Sequence, residues 1–112
     1  MTDRELLELA AKAAGMTIDT HYVDGGASVW EGERHHSDWI PDWNPLDDDG
    51  DALRLAVRLE LWIFAPDIDD QKVHVRLRNE QVSVAEKVVD NPWVSTRRAI
   101  VRAAAEIGRS MS

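Results

Sequence analysis

The chain has 112 residues, no cysteine and a net charge of −8. That length suits a single domain, residues 1–112, able to bury roughly two-thirds of the surface its unfolded chain exposes. Disulfides, thiolate nucleophiles and zinc–cysteine sites are excluded, and no apolar run reaches the roughly 18 residues needed to cross a bilayer, so the expectation is a cytoplasmic protein with no membrane partner.

The charge is uneven. The first 51 residues carry 13 acidic and 3 basic side chains, the rest 8 and 10. An acidic half repels phosphate backbones, which argues against a nucleic-acid partner and suits a basic protein surface, or simple solubility. The charged start, Met1-Thr2-Asp3-Arg4-Glu5, lacks the basic-then-apolar order of a secretory signal.

The first element is a helix over residues 3–14. Thr2 and Glu5 have capping-box spacing, Leu6, Leu9, Ala10 and Ala13 form one apolar stripe, and Gly15 is placed for a left-handed cap. Met16 to Val23 reads as extended at most, and Asp24-Gly25-Gly26 as a turn. Residues 24–38 mix glycine, serine, acids and the His35-His36 pair around Trp30, and read as a long irregular arm.

Pro41 and Pro45 push Ile40 and Asn44 toward extended geometry and block any helix until after Pro45. Asp47, Asp48 and Asp49 offer N-caps, so a second helix is expected over residues 48–59, with Ala52, Leu53, Ala56, Val57 and Leu59 on its apolar face. The period then changes from 3.6 to 2. Leu61-Trp62-Ile63-Phe64 reads as a strand, Val73, Val75 and Leu77 alternate with His74, Arg76 and Arg78, and Val82 and Val84 continue the alternation. Three antiparallel strands are expected at 60–65, 72–78 and 81–86, the first buried on both faces. A last helix, capped by Ser95 or Thr96, carries Ile100, Ala103, Ala104, Ile107 and Met111 on one stripe. The predicted fold is α+β: a three-layer α/β/α sandwich on a three-stranded antiparallel sheet, in the order α-α-β-β-β-α.

No cofactor motif is present. An EF-hand reading of the Asp47–Asp51 run fails, because glycine falls at the fourth position and Arg58 at the twelfth. No histidine pair has the i, i+4 spacing of a zinc site on a helix, so no metal is expected. The serines lack a nucleophile elbow, which disfavours a small hydrolase and leaves no catalytic residue to name. Five tryptophans stand out. Trp43, Trp62 and Trp93 read as structural, Trp43 and Trp93 stapling the starts of helices beside prolines. Trp30 and Trp39, with His35, His36 and Asp38 between them, read as a contact surface, because aromatic rings anchor interfaces. An alternative is a small nucleotide-like ligand held by Arg76, Arg78 and Arg98.

Three sequence blocks carry a resemblance: Ala13-Ala14-Gly15 closing the first helix, Trp43-Asn44-Pro45 leading to Asp51-Ala52 and Leu59, and Ser95-Thr96-Arg97-Arg98-Ala99-Ile100 followed by alanines. In these the chain resembles the phage ABA-sandwich domain proteins of tailed phages and prophages. It departs from them at Met16, where the family often has tryptophan, and in the arm at 24–38. The resemblance implies a helix–sheet–helix domain of phage or prophage origin and transfers no catalytic residues. The resulting expectation is a non-enzymatic accessory protein that binds a host or phage protein in the host cytoplasm, with a homodimer as a further expectation from the unassigned tryptophans and the alanine-faced helix.

Overall fold

A computed structural model of the chain describes residues 1–18, 27–31, 39–66, 69–79 and 81–111. Its elements run α1 (Asp3–Ala13), β1 (Met16–Ile18), β2 (Ala27–Glu31), β3 (Trp39–Trp43), α2 (Asp49–Arg58), β4 (Leu61–Phe64), β5 (Lys72–Leu77), β6 (Ser83–Lys87) and α3 (Pro92–Ser110). The class is α+β, and β4-β5-β6 is the expected three-stranded antiparallel sheet layered against helices.

The element order needs correcting. The arm read as irregular contributes a second antiparallel sheet, β1-β2-β3. The expected turn at Asp24-Gly25-Gly26 lies outside the described residues. Within this sheet Val29 pairs with Ile40, yet Ala27 pairs with Trp43, so β3 carries one extra residue. Pro41 donates no ladder hydrogen bond, and Asp42 takes a left-handed φ of 53°. The resulting bulge bends the strand and re-aims Trp43, which is 4% exposed, into the core.

The chain after Trp43 is a polar clasp. The Asp51 carboxylate accepts from the Asn44 amide at 3.0 Å and from Arg54 at 2.9 Å, while the Asp51 amide donates to the N-cap carboxylate of Asp48 at 2.8 Å. Asp51 is buried, and hydrogen bonds to an ionised acceptor are worth about 1.5–3 kcal/mol. Asp51→Ala therefore lowers stability by about 2 kcal/mol, read as an earlier urea midpoint at unchanged slope.

α3 is the element the others pack on. It lies across β5 and β6, and α1 and α2 pack against it, while α1 also meets β1 and ties the first sheet to the helical layer. Its small residues allow this. Ala99, Ala103, Ala104, Ala105 and Gly108 are all buried, so burial wraps well beyond the narrow expected stripe. α3 starts earlier than expected, because Asn91 is the N-cap: its side chain accepts from the amides of Trp93 and Val94, and Pro92 occupies the first turn, where its missing donor costs nothing. Ser95 and Thr96 lie inside the helix, their hydroxyls donating back to the Asn91 and Pro92 carbonyls, with Ser95 reaching Lys87 as well. The capping box at Thr2 and Glu5 and the left-handed Gly15 (φ 73°) both form as expected.

In the β4-β5-β6 sheet, Val73, Val75 and Val84 are buried on the face toward the helices. The register places Ile63, Val75 and Val84 in one row, and Trp62, Arg76 and Ser83 in the next, on the opposite face. That opposite face is open. Trp62 is 51% exposed, against the expectation that its strand is buried on both sides. An unbroken apolar run of four residues signals two-sided burial only when both sides are covered; here Leu61 and Ile63 face the helices, and Trp62 and Phe64 face outward.

Candidate interaction surface

α2 buries Asp51, Ala52, Leu55 and Ala56. Leu53 and Val57, expected in the same apolar face, instead stand exposed one turn apart beside Arg54 and Arg58. The signal was present in the sequence. Apolar residues at 52, 53, 55, 56, 57 and 59 sweep an arc too wide for one contact stripe.

Leu53 is the ridge between two apolar clefts. On one side α2, β4 and the start of α3 enclose about 450 Å³, walled by Leu53, Ile63, Pro66, Trp93 and Ile100. On the other, about 390 Å³ is lined by Met16, Ile40, Trp43, Leu55 and Val57. Trp93 does not staple the start of α3 as expected; it is 62% exposed at the cleft mouth.

The polar groups around these clefts bind one another. Arg97 pairs with Asp49 at 2.6 Å and donates through Nε to the Leu46 carbonyl at 3.0 Å, which pins its guanidinium. Arg54 pairs with Asp51. Such a surface offers shape and apolar area, with charges at the rim, which is how protein interfaces are built.

Trp30 and Trp39 are register partners on β2 and β3, so the second sheet brings the two expected contact tryptophans to one rung. His35, His36 and Asp38 lie outside the described residues. The arginines proposed for a small ligand do not converge. Arg76 projects on the open sheet face, its guanidinium 4.5 Å from the centre of the Phe64 ring. Arg78 lies in the exposed turn after β5. Arg98 belongs to α3, on the other side of the sheet, and pairs with Asp3 at 3.3 Å and with Glu86 at 3.8 Å. Arg102 also grips Glu86.

On the open face, Asp70 accepts from the His74 ring at 3.1 Å and from the Lys72 amide at 2.7 Å. The His74 hydrogen bond, then that of Lys72, holds the Asp70 carboxyl below its ordinary value. A carboxyl lowered on folding contributes stability above its ordinary pKa, and that contribution is lost as pH falls through the folded value. His74→Ala raises the Asp70 pKa toward the ordinary carboxylate range, as followed by NMR titration of the side-chain carbon; an unmoved titration would assign the depression to Lys72 alone.

Among the described residues, no three histidine, aspartate or glutamate side chains cluster as metal ligands. Nor is any described helix long and apolar enough to cross a membrane. In comparisons with protein-family models, curated proteins and solved structures, nothing matches the chain.

Proposed function

We propose that the chain is a non-enzymatic protein-binding module, of phage or prophage origin, that acts in the host cytoplasm on a host or phage protein. The observation that supports the binding role is the exposed Leu53–Val57 ridge with Trp93 across the cleft. Isolated apolar residues are normal on a protein surface; two apolar clefts sharing one exposed ridge are a contact patch. The patch is fitted to a partner that inserts apolar side chains on either side of Leu53. The acidic first half of the chain favours a partner with basic groups around them. The phage attribution rests on the sequence resemblance alone. Trp30 and Trp39, the contact residues the sequence suggests, are register partners on β2 and β3 and make a second candidate for that contact.

The test uses wild type and Leu53→Asp as baits in host-cell extract. Leu53 is exposed, so the variant keeps the helical circular dichroism of the wild type. The expected result is a specific protein retained by the wild type and lost by the variant, because a buried unpaired carboxylate at an interface costs several kcal/mol. A partner retained equally by both would remove this surface from the proposal, and loss with Trp39→Ala instead would move it to the β2–β3 sheet.

A further inference from the structure

The geometry points to a homodimer formed by antiparallel pairing of β4 with β4 of a second copy, about a two-fold axis at Ile63. This goes beyond the proposed partner binding and does not depend on it.

Backbone direction comes first. β4 and β6 are the edges of their sheet. The Leu77 amide donates to the Val82 carbonyl and the Val88 amide to the Gln71 carbonyl, both at 2.9 Å. Odd-numbered residues of β5 thus turn their hydrogen-bonding groups toward β6, so His74 and Arg76 turn theirs toward β4. Their register partners Phe64 and Trp62 are consumed in that ladder. Leu61 and Ile63 consequently direct their N–H and C=O groups outward at the edge, where no strand pairs with them among the described residues.

Side chains single out this edge. β6 carries Glu86 and Lys87, charges that guard an edge against pairing. β4 is Leu-Trp-Ile-Phe, with no charge, proline or bulge. Ile63 is 39% and Phe64 40% exposed. A two-fold axis normal to a continuous sheet can pair only residues on the same face, so it passes through a residue pair. With the axis at Ile63, Trp62 opposes Phe64 of the second copy twice over, and Leu61 opposes Ala65. With the axis at Trp62, Phe64 would face Glu60, whose left-handed φ of 56° ends the strand.

The Ile63 register makes each row of the joined sheet consistent. Toward the helices, Val84, Val75 and Ile63 continue into Ile63, Val75 and Val84 of the second copy. On the open face, Arg76 and Trp62 continue into Phe64 and His74, so no charge meets its like across the axis. Aromatic pairs directly opposed on neighbouring strands are stabilising. The net charge of −8 repels two copies at long range, and an uncharged strand is where they can approach.

Sedimentation velocity from low micromolar concentration upward tests the association, and the absence of cysteine allows single-thiol cross-linking to test the register. The wild type is expected to reach twice its 12.6 kDa mass. Ile63→Lys sets two ammonium groups against each other and weakens association by about a hundredfold or more. Under mild oxidation Ile63→Cys forms a disulfide-linked dimer, since paired Cα atoms about 5.5 Å apart suit that bond, and does so well ahead of Leu61→Cys. A wild-type chain that stays monomeric would overturn the proposal. So would a dimer in which the two cysteine variants cross-link equally, because that dimer uses another surface or register.

Discussion

Trp43→Ala lowers stability by about 4 kcal/mol, a large share of the roughly 5–15 kcal/mol that holds a domain of this size together. Trp43 reaches the core only because the bulge at Pro41 and Asp42 turns it there, and it then contacts the cleft wall that Leu55 and Ile40 complete. Truncation removes a large ring and leaves a cavity between the first sheet and α2. Relaxation is hindered, because the Asp51 clasp fixes the chain that follows. Urea unfolding followed by circular dichroism measures the loss, and the four remaining tryptophans provide an independent fluorescence transition. Two coincident transitions at an earlier midpoint are expected. A midpoint that barely moves would mean that the first sheet contributes little to the cooperative core.

Gly108→Ala is the second large effect, at about 3 kcal/mol net. A Cβ built at Gly108 falls 2.1 Å from the Leu9 carbonyl oxygen and 2.8 Å from its carbon. Both are backbone atoms, so no side-chain rotation relieves the clash, and α1 must lift from α3. The loss is felt despite the helix propensity of about 1 kcal/mol that alanine gains over glycine. Gly50→Ala is the control. Its Cβ meets only the ends of the Asp48 and Arg54 side chains, at 3.2 and 3.4 Å, and its effect stays within about 0.5 kcal/mol of zero. Equal melting temperatures for the two variants would contradict the close approach of the helices.

The elements legible in the sequence are those whose signals are local. The Thr2–Glu5 box, Gly15 and the Asp48 cap each act within a few residues, and the alternation at Val73 and Val75 reports one buried face directly. The β1-β2-β3 sheet was hidden because its strands are short, and one contains Pro41 and the left-handed Asp42, residues that ordinarily argue against a strand. What pairs with them is decided far along the chain. The exposed surface is illegible in the sequence for a related reason. Leu53, Trp62 and Trp93 look like core in a linear reading, yet all three stand exposed, because α2, β4 and α3 each turn another face to the core. The structural role of Trp43 is legible because the prolines and the acidic cap beside it fix its setting from within a short stretch.

The central place of α3 also governs when the molecule can fold. α1 and α3 meet across nearly the whole sequence: Asp3 pairs with Arg98, 95 residues away, and Lys12 donates to the Met111 carbonyl, 99 residues away. Closing so long a loop must precede the contacts that reward it, and such topologies fold slowly. During synthesis, α1, β5 and β6 leave the ribosome before α3, the helix that packs on all three. Until α3 emerges, Val73, Val75 and Val84 of β5 and β6 lack the helix that packs on them, so the nascent chain passes through a window in which chaperone binding competes with aggregation.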